Sequence, residues 1–229
     1  VTKYLVTGGS GDIGRAIIRQ LTDDGHSVIC QYHSADIESL KSYFNCQDVA
    51  FWQADLTRPV MKPEFIDSVD GLIHAAGAES FGLVQDFTLE EIDLQYQLHL
   101  RSLIQLSQWS IPSMLRKQCG RIVVISSIWG ETGASMESIY SAMKAGQLGF
   151  VKSLAKELAL NHITVNAITP GVVRGRMTAQ LESESLLEEI PQGELIEPDE
   201  IAFLVSYLLH KRAQHMTGQV LRLNAGWLI

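Results

Sequence analysis

The feature that most restricts the fold is a glycine-rich turn near the start of the chain, Gly9-Ser10-Gly11-Asp12-Ile13-Gly14. The apolar run Tyr4-Leu5-Val6-Thr7 just before it reads as a strand. After it, Ile13, Ile17, Ile18 and Leu21 recur at the spacing of one helical face, and Gly25 supplies a stop. A chain that passes so quickly from strand to helix needs backbone conformations that side chains obstruct, and glycine permits them. The helix start then offers unpaired N–H groups and a partial positive charge to whatever lies in the turn. At such a junction the run points to a bound dinucleotide, with Gly8, Ser10, Gly11, Asp12, Ile13 and Gly14 around the pyrophosphate. Asp12 is the awkward member, since like charges repel in a poorly solvated pocket. The same carboxylate stabilises a helix start if it is turned away from the ligand.

The rest of the chain alternates short β-branched runs with amphipathic stretches, the pattern of a parallel sheet with helical crossovers. Strands are expected at residues 4–7, 27–32, 50–54, 71–75, 121–126, 163–168 and 220–223. Between the last two lies an excursion at 172–197 that carries Glu182, Glu184, Glu188, Glu189, Glu194 and Glu197 and no strand signal. It reads either as a substrate lid or as a solvated acidic segment without a chemical role. With 229 residues, 46% of them hydrophobic and 19% charged, the chain is expected to be one globular domain over 1–229 with a core that needs no staples.

Composition excludes several classes of partner. The formal charge is −8, which argues against nucleic acid and anionic membrane surfaces, because both need basic patches. The longest stretch without charge, residues 158–173, contains Asn161, His162, Asn166 and Pro170 and is too short and polar to span a bilayer. Cys30, Cys46 and Cys119 are widely spaced and show no pairing with histidine, so no metal site is expected and a reducing, cytoplasmic setting fits.

A second motif carries chemistry. Tyr140-Ser141-Ala142-Met143-Lys144 places Tyr140 and Lys144 one helical turn apart on one face. A free phenol has a pKa of about 10 and needs a nearby cation to ionise near neutrality, which Lys144 can supply. Ser127, thirteen residues earlier at the end of the fifth strand, can hydrogen-bond a substrate oxygen where charge develops.

With these motifs the chain resembles the short-chain dehydrogenase/reductase family over essentially its whole length, and within it the 3-oxoacyl-carrier-protein reductase group. Further matching runs are Asp55-Leu56-Thr57, Ala75-Ala76-Gly77, Asn166-Ala167-Ile168-Thr169-Pro170-Gly171 and Thr217-Gly218-Gln219. The resemblance implies a Rossmann-type α/β domain, a seven-stranded parallel sheet in the order 3-2-1-4-5-6-7 with helices on both faces. It implies that Asp55 and Leu56 lie at the adenine, Ala75, Ala76 and Gly77 at the adenosine ribose, and Pro170, Gly171 and Val173 at the nicotinamide. Tyr140 is then the proton donor or acceptor, with Lys144 lowering its pKa and holding the nicotinamide ribose. A homotetramer is also implied, with Leu148 to Leu160 in an intersubunit helix face; Leu148, Val151, Leu154, Ala155 and Leu158 recur there at helical spacing, and one such stripe must already face the sheet.

Four positions depart from the family pattern. Asp12 stands where a glycine is usual, a spacing nearer to longer relatives that carry a further substrate domain, for which 229 residues leave no room. His99 replaces an asparagine that supports a water relay to the lysine. It is either a relay group titrating near neutrality or a buried structural histidine. Gly175 replaces a threonine on the cofactor's amide side. Asn161 replaces one basic residue of a pair that docks an acidic carrier, though Arg116 and Lys117 remain.

At the end of the second strand, Gln31, His33 and Ser34 stand where an NAD enzyme places an acid, which favours NADP over NAD. The expected activity is NADPH-linked reduction of a small carbonyl substrate, such as a 3-oxoacyl thioester, to a secondary alcohol. Trp129, Met136 and Met177 are expected as pocket walls. A non-catalytic dinucleotide-binding module and a sugar-nucleotide epimerase or dehydratase are the alternatives.

Overall fold

The computed structural model describes residues 2–45, 48–176, 178 and 184–229. Cys46, Met177 and Glu182 lie outside the described residues. Seven strands, β1 (Lys3–Thr7), β2 (Ser27–Tyr32), β3 (Val49–Gln53), β4 (Gly71–His74), β5 (Gly120–Ile125), β6 (Ile163–Pro170) and β7 (Val220–Leu223), pair in parallel in the order β3-β2-β1-β4-β5-β6-β7. The connecting helices are α1 (Asp12–Asp23), α2 (Ile37–Phe44), α3 (Leu89–Tyr96), α4 (Ser102–Lys117), α5 (Trp129–Thr132), α6 (Ser138–Leu158), α7 (Glu184–Glu189) and α8 (Pro198–Leu209). This is a Rossmann-type domain with helices on both faces.

Because successive strand side chains point to opposite faces, each strand feeds two cores. Val6, Cys30, Ile73, Val123 and Ile125 pack with Ile17, Leu21, Leu40 and Val205 on the side of α1, α2 and α8. Leu5, Ile29, Leu72, Ile122 and Val124 pack with Leu103, Leu106, Val151 and Leu154 on the side of α4 and α6. The residues Leu148, Val151, Leu154, Ala155 and Leu158 of α6 all lie in the sheet-facing core of the chain. Helical periodicity records that a face is covered, and the sheet is what covers it.

Among the described residues of the segment 172–197 is a strand-like feature that its composition conceals. Val173 and Ile196 form a parallel bridge, with Ile196 N–H donating to the Val172 carbonyl at 3.0 Å and Arg174 N–H to the Ile196 carbonyl at 2.8 Å. The excursion is thus stapled at its base. Among the described residues, no helix is long and apolar enough to cross a membrane, and no cluster of His, Cys, Asp or Glu is arranged to hold a metal ion.

Candidate active site

The strand order reverses between β1 and β4, and in open α/β sheets the crevice at the carboxyl ends beside such a reversal is where ligands bind. The loops after β1, β4, β5 and β6 all open on that edge. They carry, respectively, the glycine turn, Ala75 to Gly77, Ser127, and Gly171 to Val173.

The glycine turn is held from below. Gly9 N–H donates to the Gln31 carbonyl at 2.8 Å, and Gly11 N–H to the Gly8 carbonyl at 3.0 Å. A methyl group at Gly14 would strike the Gly8 carbonyl and approach Gly9 Cα to 2.8 Å, so the turn closes only on glycine. Helix α1 begins after Gly11 without a side-chain cap, leaving the N-terminal amides beyond Ser10 and Gly11, those of Asp12, Ile13 and Gly14, as donors for an anion. This cradle fits a dinucleotide pyrophosphate.

Gln31 has a different task from the one its position suggests. Its side chain is buried, with Oε1 accepting from Gly8 N–H and Nε2 donating to the Ala54 carbonyl, both at 2.8 Å. It braces the turn against β3 and is not available to a ribose. His33 and Ser34, in contrast, are exposed at the strand end. The acid nearest them in sequence, Asp36, is committed to capping α2 through Ser39 N–H at 2.8 Å. Asp55 accepts from the Thr57 hydroxyl at 2.6 Å and from Thr57 N–H at 2.9 Å. Those bonds, with Arg58 at 3.3 Å and His33 at 3.8 Å, hold its carboxyl below the usual range. Leu56 beside it is buried.

After β4, the Thr7 hydroxyl accepts from the N–H groups of Ala75 and Ala76, both at 3.1 Å, and spends its own proton on His74 Nδ1 at 3.0 Å. On the other side, Pro170 ends β6, its carbonyl accepting from Ile128 N–H at 3.1 Å, while Gly171 N–H donates to Leu223 at 2.9 Å.

Ser127 and helix α6 bring the reactive groups together. Tyr140, Lys144 and Gln147 follow one another at i, i+4, i+7 along one face. Ser126 Oγ donates to the Lys144 carbonyl at 3.0 Å, tying that face to the end of β5. The Ser127 hydroxyl accepts from Trp129 N–H at 3.2 Å and interacts with the Tyr140 phenol. Lys144 Nζ lies 5.4 Å from the Tyr140 ring centroid and donates to the Ile125 carbonyl at 3.0 Å. Lys144 is 4% exposed, and burial pushes its pKa down to about 7. Burial pushes the Tyr140 phenol up to about 12, a rise that Ser127 opposes and the nearby Glu137 and Glu79 reinforce. The phenol is therefore protonated near neutrality, and the lowering of its pKa expected from Lys144 is outweighed by burial.

His99 sits in a π-helical turn, Gln97–Arg101, between α3 and α4, and its ring meets Tyr140 edge-on at 5.6 Å. A methyl group at Gly77 would lie 2.9 Å from His99 Cε1 and 3.6 Å from Lys144 Nζ, so imidazole and ammonium both border the space that this glycine leaves open. His99 does not titrate near neutrality. Burial and the Lys144 charge push its pKa down to about 3, so the ring is neutral. Its Nε2 lies 3.0 Å from the Ala78 carbonyl and 3.4 Å from the Ala78 N–H, so the ring's tautomer decides which of the two it engages. Nδ1 is buried with no hydrogen-bond partner among the described residues.

Two further residues belong to this cluster and had no local signal. Gln147 is fully buried and donates from Nε2 to the His99 carbonyl at 3.0 Å, fixing the π-turn against α6. His74 is also fully buried, and burial with the Lys144 charge depresses it to about 3. Of Lys144, His99 and His74, Lys144 is accordingly the one that can carry charge near pH 7. On the open side, Trp129 packs edge-on against Trp227 at 5.4 Å, and Met136 is partly exposed beside Gly82.

Comparison with known proteins agrees with this geometry. Residues 2–186 match the family described as short chain dehydrogenase. An uncharacterized oxidoreductase of Bacillus subtilis, YmfI, is 37% identical over 97% of each chain. A 3-oxoacyl-[acyl-carrier-protein] reductase, FabG, of Rickettsia bellii is 34% identical over 98% of this chain and 96% of its own. A short-chain dehydrogenase/reductase from Serratia marcescens superposes with a TM-score of 0.89 at 26% identity, covering 99% of this chain and 97% of that one.

Proposed function

This chain belongs to the short-chain dehydrogenase family and is an NAD(P)-dependent oxidoreductase; from that premise we propose that it reduces a ketone to a secondary alcohol with NADPH. The observation that carries the proposal is the grouping of Ser127, Tyr140 and Lys144 beside the glycine turn. The nicotinamide, when bound, supplies the hydride. The chain's residues then have to hold the carbonyl and deliver one proton to its oxygen. Tyr140, kept as a phenol by burial, is the donor, and the Ser127 hydroxyl hydrogen-bonds the same oxygen as negative charge develops on it. Lys144 supplies the charge that stabilises the tyrosinate left behind, and its remaining N–H groups suit ribose hydroxyls. His99 acts as a neutral acceptor beside that ammonium, with Gln147 holding it in place.

NADP is favoured by the strand end after β2. His33 and Ser34 stand there with no acid to meet a ribose 2′-hydroxyl, Asp36 being committed to the start of α2, and the Arg58 guanidinium lies close by, 3.3 Å from Asp55. The excursion 172–197, stapled at Val173 and Ile196, serves as the substrate lid, and Trp129, Trp227 and Met136 supply an apolar wall. The FabG relatives make a 3-oxoacyl thioester the first substrate to test. A carrier protein would find weak docking. Arg116 is bonded to the Asp67 carbonyl, and Lys117 to Asp70 and the Ser68 carbonyl. The decisive assay follows NADPH and NADH absorbance with a panel of ketones, 3-oxoacyl thioesters and sugars. Turnover with NADPH and a ketone supports the proposal, and tight NADPH binding without turnover of any member refutes it.

A further inference from the structure

Two departures from the family pattern, Asp12 in the glycine turn and Gly175 after β6, lie 163 residues apart and meet in space. A methyl group built at Gly175 would stand 2.6 Å from Asp12 Oδ2 and 3.2 Å from its Cβ and Cγ. Gly175 is therefore a glycine because the Asp12 carboxylate fills the space of its side chain. The next residue completes the contact: Arg176 donates its backbone N–H to Asp12 Oδ2 at 2.8 Å and its Nε–H toward Oδ1 at 3.3 Å. Its Nη2 donates to the Ser10 carbonyl at 2.7 Å. One guanidinium thus lies along the turn from Ser10 to Asp12, beside the uncapped start of α1.

This arrangement answers the charge problem that Asp12 poses. A lone carboxylate at the mouth of a pyrophosphate cradle would repel the ligand, whereas a carboxylate paired with arginine leaves the site neutral and presents a planar set of donors. Arginine has five N–H donors, and among the described residues these bonds use two. The Arg176 side chain is 68% exposed, so the others face solvent. Arg15, the cation next to the turn in sequence, is directed elsewhere: its guanidinium lies over the Tyr43 ring, 4.7 Å from the centroid, against α2. The staple between Val173 and Ile196 fixes the loop that carries Arg176.

We propose that Arg176 binds the diphosphate of the dinucleotide from the loop after β6, and that Asp12 is the residue that positions it. Gly175 is the space this pair requires. The inference rests on the dinucleotide-binding reading of the glycine turn, and it makes cofactor affinity depend on the first residues of the 172–197 excursion.

The test measures dissociation constants of NADPH and NADH over a range of KCl concentrations for wild type, Arg176→Gln, Asp12→Asn, Gly175→Ala, and Gly175→Ala in an Asp12→Gly background. Arg176 is exposed, so Arg176→Gln should melt with the wild type. Losing a charge-assisted contact should weaken both dinucleotides alike, by about tenfold, and flatten the dependence of affinity on salt. Asp12→Asn should weaken both in the same direction but less. Gly175→Ala should weaken binding where Asp12 is present and have no further effect where Asp12 is glycine, the coupling expected of two groups competing for one space. Wild-type affinity and salt dependence in Arg176→Gln would overturn the proposal, as would an equal effect of Gly175→Ala in both backgrounds. A wild type that binds neither dinucleotide would overturn the reading beneath it and the proposal together, and is distinguishable because the failure then precedes any substitution.

Discussion

Replacing Lys144 by methionine should abolish turnover and stabilise the fold, with a stabilisation that depends on pH. The ammonium is buried, and its pKa falls from 10.5 to about 7 on folding. Each pH unit of that displacement is about 1.4 kcal/mol, so keeping a lysine there costs at most roughly 5 kcal/mol at and below neutrality. Methionine has similar bulk and no charge, but it leaves the Ile125 carbonyl without its donor, a loss of about 1–3 kcal/mol. The net expectation at pH 7 is a gain of about 2–4 kcal/mol. The sign of the pH dependence follows from proton counting. Between about pH 7 and 10.5 the unfolded lysine is protonated and the folded one is not, so wild-type stability rises with pH. The advantage of Lys144→Met should therefore shrink by up to about 1.4 kcal/mol per pH unit across that window and be flat below it. Urea denaturation of both proteins without cofactor, from pH 6 to 10, measures this directly. A difference that does not change with pH, or a methionine variant less stable than wild type at pH 7, would refute the assignment of Lys144 as a buried, destabilising charge.

Two other substitutions separate structural from chemical roles. Gln31→Asp should destabilise the protein by about 2–4 kcal/mol, since it leaves the Ala54 carbonyl unpaired and buries a carboxylate against the turn, and chemical denaturation would show it. An unchanged midpoint would mean that Gln31 faces the cofactor after all. His99→Asn should retain kcat within a few-fold, because asparagine also offers an acceptor, whereas His99→Leu should lose about tenfold or more. With the imidazole neutral down to about pH 3, the pH–rate profile of His99→Asn should keep any limb near neutrality, which belongs to Lys144 losing its charge as pH rises through about 7. Disappearance of that limb would return titration to His99.

The sheet was legible in the sequence because its signals are local. Short β-branched runs bounded by turn residues place all seven strands to within two residues of their observed ends, and the glycine turn locates the first crossover. Ser127, Tyr140 and Lys144 were equally legible, their spacing being set by one strand end and one helix face. What escaped is what depends on which residue a side chain meets across the fold. Periodicity marked Leu148 to Leu158 as apolar and required one stripe to face the sheet, but not that all five residues lie on it. Gln31 occupies the position of a cofactor-reading residue while its amide spans from Gly8 to Ala54. His74 and Gln147 carry no motif, and their part beside Lys144 comes from packing of β4, the π-turn and α6. Asp12 and Gly175 each read as a local oddity, and only their contact explains either.

The central claim is that Tyr140 is the proton donor of a ketone reduction. It is tested most directly by comparing Tyr140→Phe with wild type for NADPH oxidation by a ketone that the wild type turns over. Phenylalanine preserves the ring beside His99 and Lys144 and removes only the hydroxyl. Turnover should fall by about 10²–10⁴-fold, while the NADPH dissociation constant stays close to that of the wild type. Full turnover in Tyr140→Phe would contradict the claim.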